Sequence, residues 1–246
     1  MAKISKEIWS INNVQIPVRI YRERRRNNRI SIAKDAVNLR IPNWGASILQ
    51  GGYKRWAYDW LVEQFIKDPS LKERFTPKVY KNGDEFRTHF EVYKIFVTRS
   101  KRATSTSKLE LNTIFLNLNQ DISILEESKT TKTLIARMIA QKEHPRVLSR
   151  IQDINEKYFG KLTITGVRIK NNSSNWGSCS VKGNLNVSTK TLFAPAFVQD
   201  YIFVHELAHR IEMNHSANYW KIVEKVMPDY KQAEKWIKIH GKECDF

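Results

Sequence analysis

His205, Glu206 and His209 stand in the order His-Glu-x-x-His, inside a run from Pro195 to Met213 whose Val198, Tyr201, Ile202 and Ala208 recur at helical steps. Positions four apart on a helix lie one turn apart on one face, so both imidazoles can reach one ion. Glu206 projects beside them, within reach of a water on that ion. Zinc (Zn2+) suits such donors: it lowers the pKa of its water toward about 7, and a neighbouring carboxylate can take the proton as the water attacks a carbonyl. The pattern therefore indicates metal-assisted hydrolysis with Glu206 as general base.

A catalytic zinc site commonly combines three protein ligands with one open position. His215, six residues past His209, is the first choice for the third. Asn214 before it can take a left-handed conformation and turn the chain back toward the ion. Glu212, about a turn past His209, is one alternative. Glu224 is another, on a following helix that Ser216 would cap ahead of Trp220, Val223 and Met227. Ordinary core or surface histidines would be scattered, whereas three of the six in this chain fall within eleven residues.

The elements that must hold this group can be read from periodicity. Val14, Ile16, Val18, Ile20, then Ile30, Ile32, Val37, Leu39 and Ile41 alternate as in strands, with turns at Asn27-Asn28 and Asp35. Pro42 and Asn43 open a helical stretch, Ala46 to Lys67, whose Tyr53, Trp56, Trp60 and Phe65 read as core. Asn82-Gly83 marks a turn, and Glu85 to Thr98 and Ser107 to Asn117 alternate again, joined by a polar hairpin tip, Arg99 to Thr106. Two helices, Lys132 to Glu143 and Val147 to Tyr158, flank Pro145, which should interrupt the hydrogen-bond ladder. Strands Leu162 to Lys170 and Gly183 to Ser188 enclose the loop Asn171 to Lys182. The class is α+β, divided as a strand-rich region 1–120 with one long helix and a metal-site region 130–246, or running as one continuous domain.

The loop before the last strand has two readings. It can cover the metal, or present backbone groups to an extended substrate added to the edge strand Gly183 to Ser188. It can equally be a structural turn with Trp176 buried and Cys179 inert. Asn175, Trp176 and Tyr219 are candidate substrate contacts, and Tyr219, Lys170 and Asn175 candidate oxyanion partners. Cys179 is not expected to act as nucleophile, because Glu206 and a metal already supply an activated water.

With 246 residues, 41% of them hydrophobic, the chain has ample material for a core, which excludes global disorder. Two cysteines, Cys179 and Cys244, exclude a disulfide framework and a Cys-x-x-Cys metal site, and fit a reducing cytoplasm. Met1 to Ser10 has no signal-peptide pattern, and no uncharged apolar run approaches the roughly 20 residues of a membrane span. A cytoplasmic protein with no membrane partner is expected. The net charge of +17 favours polyanions. Arg19, Arg22, Arg24, Arg25, Arg26, Arg29 and Lys34, opposed by Glu23 and Asp35, make the N-terminal segment a candidate nucleic-acid face, the commoner reading of such a run being a solvated strand pair.

The run Lys170 to Ser180 (KNNSSNWGSCS), then Gly183-Asn184-Leu185-Asn186, His205 to His209 (HELAH), Asn214-His215-Ser216 and Tyr219-Trp220 resembles the YgjP-like metallopeptidase family, which is related to the SprT-like zinc proteases. The match is close over Leu162 to Gly241 and looser before it. The resemblance implies a compact zincin-like region, its active-site helix beside a small antiparallel sheet, with zinc on His205, His209 and His215, Glu206 as base, and a protein or peptide substrate. The residue before Trp176, often Arg in that family, is Asn175 here. The spacing is also that of metzincins, but Glu212 stands where those carry Gly and no Met-turn is identifiable.

Three functions follow from these residues. The first is peptide hydrolysis, near nucleic acid by analogy with the SprT-like relatives. The second is a metal-dependent nucleotide or phosphoanhydride hydrolase, which suits the charge but lacks a Gly-rich phosphate loop. The third is a nucleic-acid-binding module with structural zinc, against which stands Glu206, a base for which a structural site has no use.

Overall fold

Strand alternation in the first 42 residues does produce a sheet in the computed structural model, which describes residues 3–33, 36–43, 52–172 and 174–244. The chain divides into two units, Met1–Lys78 and Val79–Phe246. The division falls well before residue 120, and the second group of strands belongs with the metal-site region.

In the first unit, β1 (Lys3–Ile11), β2 (Val14–Glu23), β3 (Arg29–Ile32) and β4 (Val37–Pro42) form a sheet of order β1-β2-β4-β3. β2 and β4 run parallel and the other pairs antiparallel. Ile16, Val18, Ile20, Val37, Leu39 and Ile41 are buried on one face. α1 (Gly52–Lys67) contributes Tyr53, Ala57, Leu61 and Phe65, one residue per turn, to the same core. Trp56, expected in the core, is 40% exposed, because it lies off that stripe. Pro42 closes β4, so it does not open the helix, and the expected helical residues before Gly52 and the turn at Asp35 lie outside the described residues.

In the second unit, β5 (Glu85–Arg87), β6 (Val92–Ser100), β7 (Thr106–Glu110) and β8 (Thr113–Asn119) are ordered β5-β6-β8-β7. β6 and β8 are parallel neighbours, so the segment after Arg99 is a crossover, not a hairpin tip. The hairpin lies at Leu111-Asn112, between β7 and β8, with Leu111 at φ 52°. Tyr93, Ile95, Ile114, Leu116 and Leu118 form one core with Leu134, Ile135, Met138 and Ile139 of α2 (Ile124–Phe159).

α2 is a single helix of 36 residues that passes through Pro145 without stopping. Proline removes one backbone hydrogen bond. Burial of Ile139, Val147, Ile151 and Ile154 along one side outweighs that loss. The ends are set locally: Ser123 accepts from the Glu126 amide and donates to its carboxylate, and Gly160 closes the helix at φ 68°, a left-handed conformation that costs glycine little. None of the described helices is long and apolar enough to cross a membrane.

β9 (Gly166–Lys170), β10 (Gly177–Cys179) and β11 (Asn184–Ser188) make a small sheet of order β10-β11-β9. It is mixed where an antiparallel one was expected: β10 pairs antiparallel and β9 parallel with β11. The strand expected at the edge, β11, is central, and β10, inside the expected loop, is an edge. The α+β class and the helix beside a small sheet are as expected. That helix is α3 (Ala196–Ala208), followed by α4 (Ala217–Val226) and α5 (Tyr230–His240).

Candidate metal centre

α3 begins after Pro195 and is buried on nearly every side, by Val198, Tyr201, Ile202, Phe203, Val204, Leu207 and Ala208. Two polar ties set its orientation. Asp200 accepts two hydrogen bonds from Arg150 of α2, at 2.8 and 2.7 Å, a fork that fixes rotation as well as distance. Gln199 Nε2 donates to the Ala194 carbonyl at 2.8 Å.

The helix stops one residue short of His209, and Arg210, Ile211 and Glu212 turn back on the carbonyls of Leu207 and Ala208. Asn214 is therefore not in the left-handed conformation expected of it, and the reversal is made by this tight turn. Ser216 then caps α4 by accepting from the Tyr219 amide, as expected.

This turn brings His215 to His205 and His209. One ligand atom from each of His205, His209 and His215 lies within 4.8 Å of the others, and neither Glu212 nor Glu224 is part of the group. His205 Nε2 and His215 Nε2 are 3.2 Å apart. Nδ1 of His209 faces the Glu212 carbonyl at 3.2 Å, which leaves Nε2 for an ion. Burial, then His209 and His215, pushes His205 down to about 4, and burial lowers His209. Both rings are thus neutral near pH 7, the form that ligates a metal.

Glu206 is 4% exposed, and its Oε2 has no hydrogen-bond partner among the described residues. Burial pushes its carboxyl up to about 8. A buried, unpartnered carboxylate oxygen beside three converging imidazoles fits a site completed by a cation and water. Gly177 makes room for it: a methyl group there would lie 2.8 Å from both Cγ and Cδ of Glu206 and closer still to Oε1. In the sequence this glycine is only part of a loop; its contact with Glu206 is tertiary.

A pocket of about 380 Å3 opens beside His205 and Glu206 and includes Asn175 and Trp176 in its lining. Asn175 Nδ2 donates to the Gly177 carbonyl at 3.1 Å. Tyr219, a candidate substrate contact, is instead wholly buried, and its hydroxyl donates to the His205 carbonyl at 3.0 Å. It braces α3 and is not available to substrate or to an oxyanion. Lys170 ends β9, across the sheet from β10, and is not in the pocket lining. Cys179 is half-buried, with its thiol held up by burial, which suits an inert residue. Glu234 and Ile237 of α5 complete the pocket, and no local signal in the sequence marked them.

Imidazoles converging beside a buried carboxyl group and an open pocket define a metal-dependent hydrolase site. The chain belongs to the YgjP-like metallopeptidase family, whose domain model matches residues 26–240. It is also similar to the metallopeptidase zymogen of Pyrococcus abyssi abylysin, known from a crystal structure, at 28% identity and a TM-score of 0.35, over 39% of this chain and 93% of that one. No curated protein matches the chain.

Proposed function

We propose that this chain is a zinc-dependent peptidase in which His205, His209 and His215 hold the ion and Glu206 is the general base. The observation that carries the reading is the pairing of the three imidazoles with a buried carboxylate whose Oε2 is unpartnered and which adjoins an open pocket. Three imidazoles suit zinc, which when bound would polarise a carbonyl and acidify a water. Glu206 accepts the proton at its carboxylate and returns it to the leaving amine. Desolvation supports this work, since it raises the basicity of that carboxylate toward neutral pH. Asn175 and Trp176, at the pocket, contact substrate.

Elemental analysis of the purified chain, with turnover on unstructured peptides, tests the reading. Glu206→Gln should keep zinc and lose turnover by about 1,000-fold or more. Cleavage of nucleoside triphosphates with no cleavage of peptides would move the chain to the phosphohydrolase class. The Glu234 carboxylate in the pocket weighs against a polyphosphate there. A structural zinc would leave Glu206→Gln without effect.

The chain also acts near nucleic acid in this proposal. Residues 1–78 carry 16 Lys and Arg against 7 Asp and Glu. Lys6, Arg19, Arg29 and Arg40 occupy the strand positions that alternate with the buried ones, on the sheet face away from the first unit's core, with Glu23 paired to Arg25 and Arg40. The Arg40 guanidinium lies 4.7 Å from the Tyr21 ring centre, which keeps it extended over the sheet. Such a face complements a phosphate backbone. A cytoplasmic location accords with it.

A further inference from the structure

The pocket beside Glu206 has a chemical feature that the proposed hydrolysis does not use. Trp176, Tyr201, Ile202 and Ile237 give it largely apolar walls, yet Glu234 of α5 places a carboxylate among them. Tyr201 Oη donates to Glu234 Oε1 at 3.0 Å, which fixes the group, while Oε2 takes no hydrogen bond among the described residues. Burial, followed by the charge of Glu234, holds the Tyr201 hydroxyl protonated, so it remains the donor. Lys238, one turn further along α5, shares the lining but makes no ion pair with Glu234 among the described residues. The carboxylate is thus oriented and has a free oxygen.

We propose that this pocket is a subsite for a lysine or arginine side chain of the substrate next to the scissile bond, read by Glu234. The inference rests on the peptidase reading. A long basic side chain would lay its methylenes against Ile202, Ile237 and Trp176 and bring its cation to Glu234 Oε2. Because His205 and Glu206 adjoin the same pocket, the backbone of that residue would stand at the reacting centre. A neutral side chain of equal length would keep the apolar contact and lose the charged hydrogen bond.

The full chain, loaded with zinc, is incubated with a diverse mixture of unstructured peptides, and the cuts are mapped by mass spectrometry for wild type and Glu234→Gln. Glutamine keeps an acceptor for Tyr201, so the pocket keeps its shape. Lys and Arg should be enriched at one position beside the cut. An arginine peptide should exceed its citrulline analogue about tenfold in kcat/KM, and Glu234→Gln should bring that ratio to about one. Cuts without this enrichment, enrichment that survives Glu234→Gln, or a preference for acidic residues through Lys238 would overturn the subsite and leave the peptidase reading standing. Absence of any cut by wild type would overturn the peptidase reading. Calorimetry then decides the subsite: arginine hydroxamate should bind the zinc-loaded chain about tenfold more tightly than citrulline hydroxamate, only with Glu234 present. Equal affinities would remove the subsite.

Discussion

His205 Nε2 and His215 Nε2 face each other at 3.2 Å although ten residues separate them. Two nitrogens each about 2.05 Å from a tetrahedral ion would stand about 3.3 Å apart, so this spacing could accommodate one ion between the two rings. Tyr219 sits between α3 and α4 with its hydroxyl on the His205 carbonyl and its ring centre 4.7 Å from those of His209 and His215. Tyr219 thus braces the backbone of the first histidine and packs its ring against the other two.

His215→Ala should lower zinc affinity by about 100-fold or more in competition with a chelating dye. Undiminished affinity would transfer the third-ligand role to Glu212 or Glu224.

Gly177→Ala should slow hydrolysis about 10- to 100-fold at unchanged zinc content. The added methyl overlaps Glu206, not the histidines, so the base must move while the ion stays. Full activity in this variant would show that Glu206 does not work from its present position.

The motif helix, its following cap at Ser216 and the three histidines were legible because each depends on residues within a turn or two of one another. What was missed depends on partners distant in sequence. Alternation tells which face of β6 is buried, but not that β8 lies beside it and β7 outside. Pro145 reads as a break because propensity weighs one lost hydrogen bond, whereas the fold buries a whole side of α2. Gly177 and Glu234 show the same limit at the site, since each gains its meaning from a residue of α3, Glu206 for the one and Tyr201 for the other.

The polar network behind the metal helix makes a stability prediction. Tyr93 Oη donates to Glu143 Oε1 at 3.0 Å, Arg146 Nε donates to Glu143 Oε2 at 2.8 Å, and Arg146 Nη1 reaches Gln199 of α3 at 3.4 Å. Glu143 is 3% exposed, so Glu143→Ala strands a buried hydroxyl and a guanidinium together. The loss should be about 3 kcal/mol in urea unfolding, and a change near zero would mean that water replaces the carboxylate at no cost.

Binding of the full chain to a single-stranded oligonucleotide should fall steeply with salt. Lys6→Glu and Arg29→Glu, both exposed on the basic face, should each weaken binding and reduce the log-log salt slope by about 1. A salt-independent response would remove nucleic acid as a partner of this face.

Stability of the metal-free chain should depend on pH through Glu206 in a direction opposite to that of an ordinary paired carboxylate. Burial raises its pKa from 4.5 to about 8. Between those values the folded chain keeps a proton that the unfolded chain has released, so stability falls as pH rises. The contribution is fully present below 4.5 and is lost as pH passes through about 8. His205, lowered from 6.5 to about 4, acts in the other sense, with stability full above 6.5 and declining as pH falls toward 4. Glu206→Gln removes only the first effect. In the presence of a chelator it should stabilise the chain by about 4 to 5 kcal/mol near pH 8.5 and progressively less as the pH is lowered to about 4.5. Urea unfolding at several pH values measures the difference. A benefit that does not change with pH would mean that the carboxylate is not held desolvated.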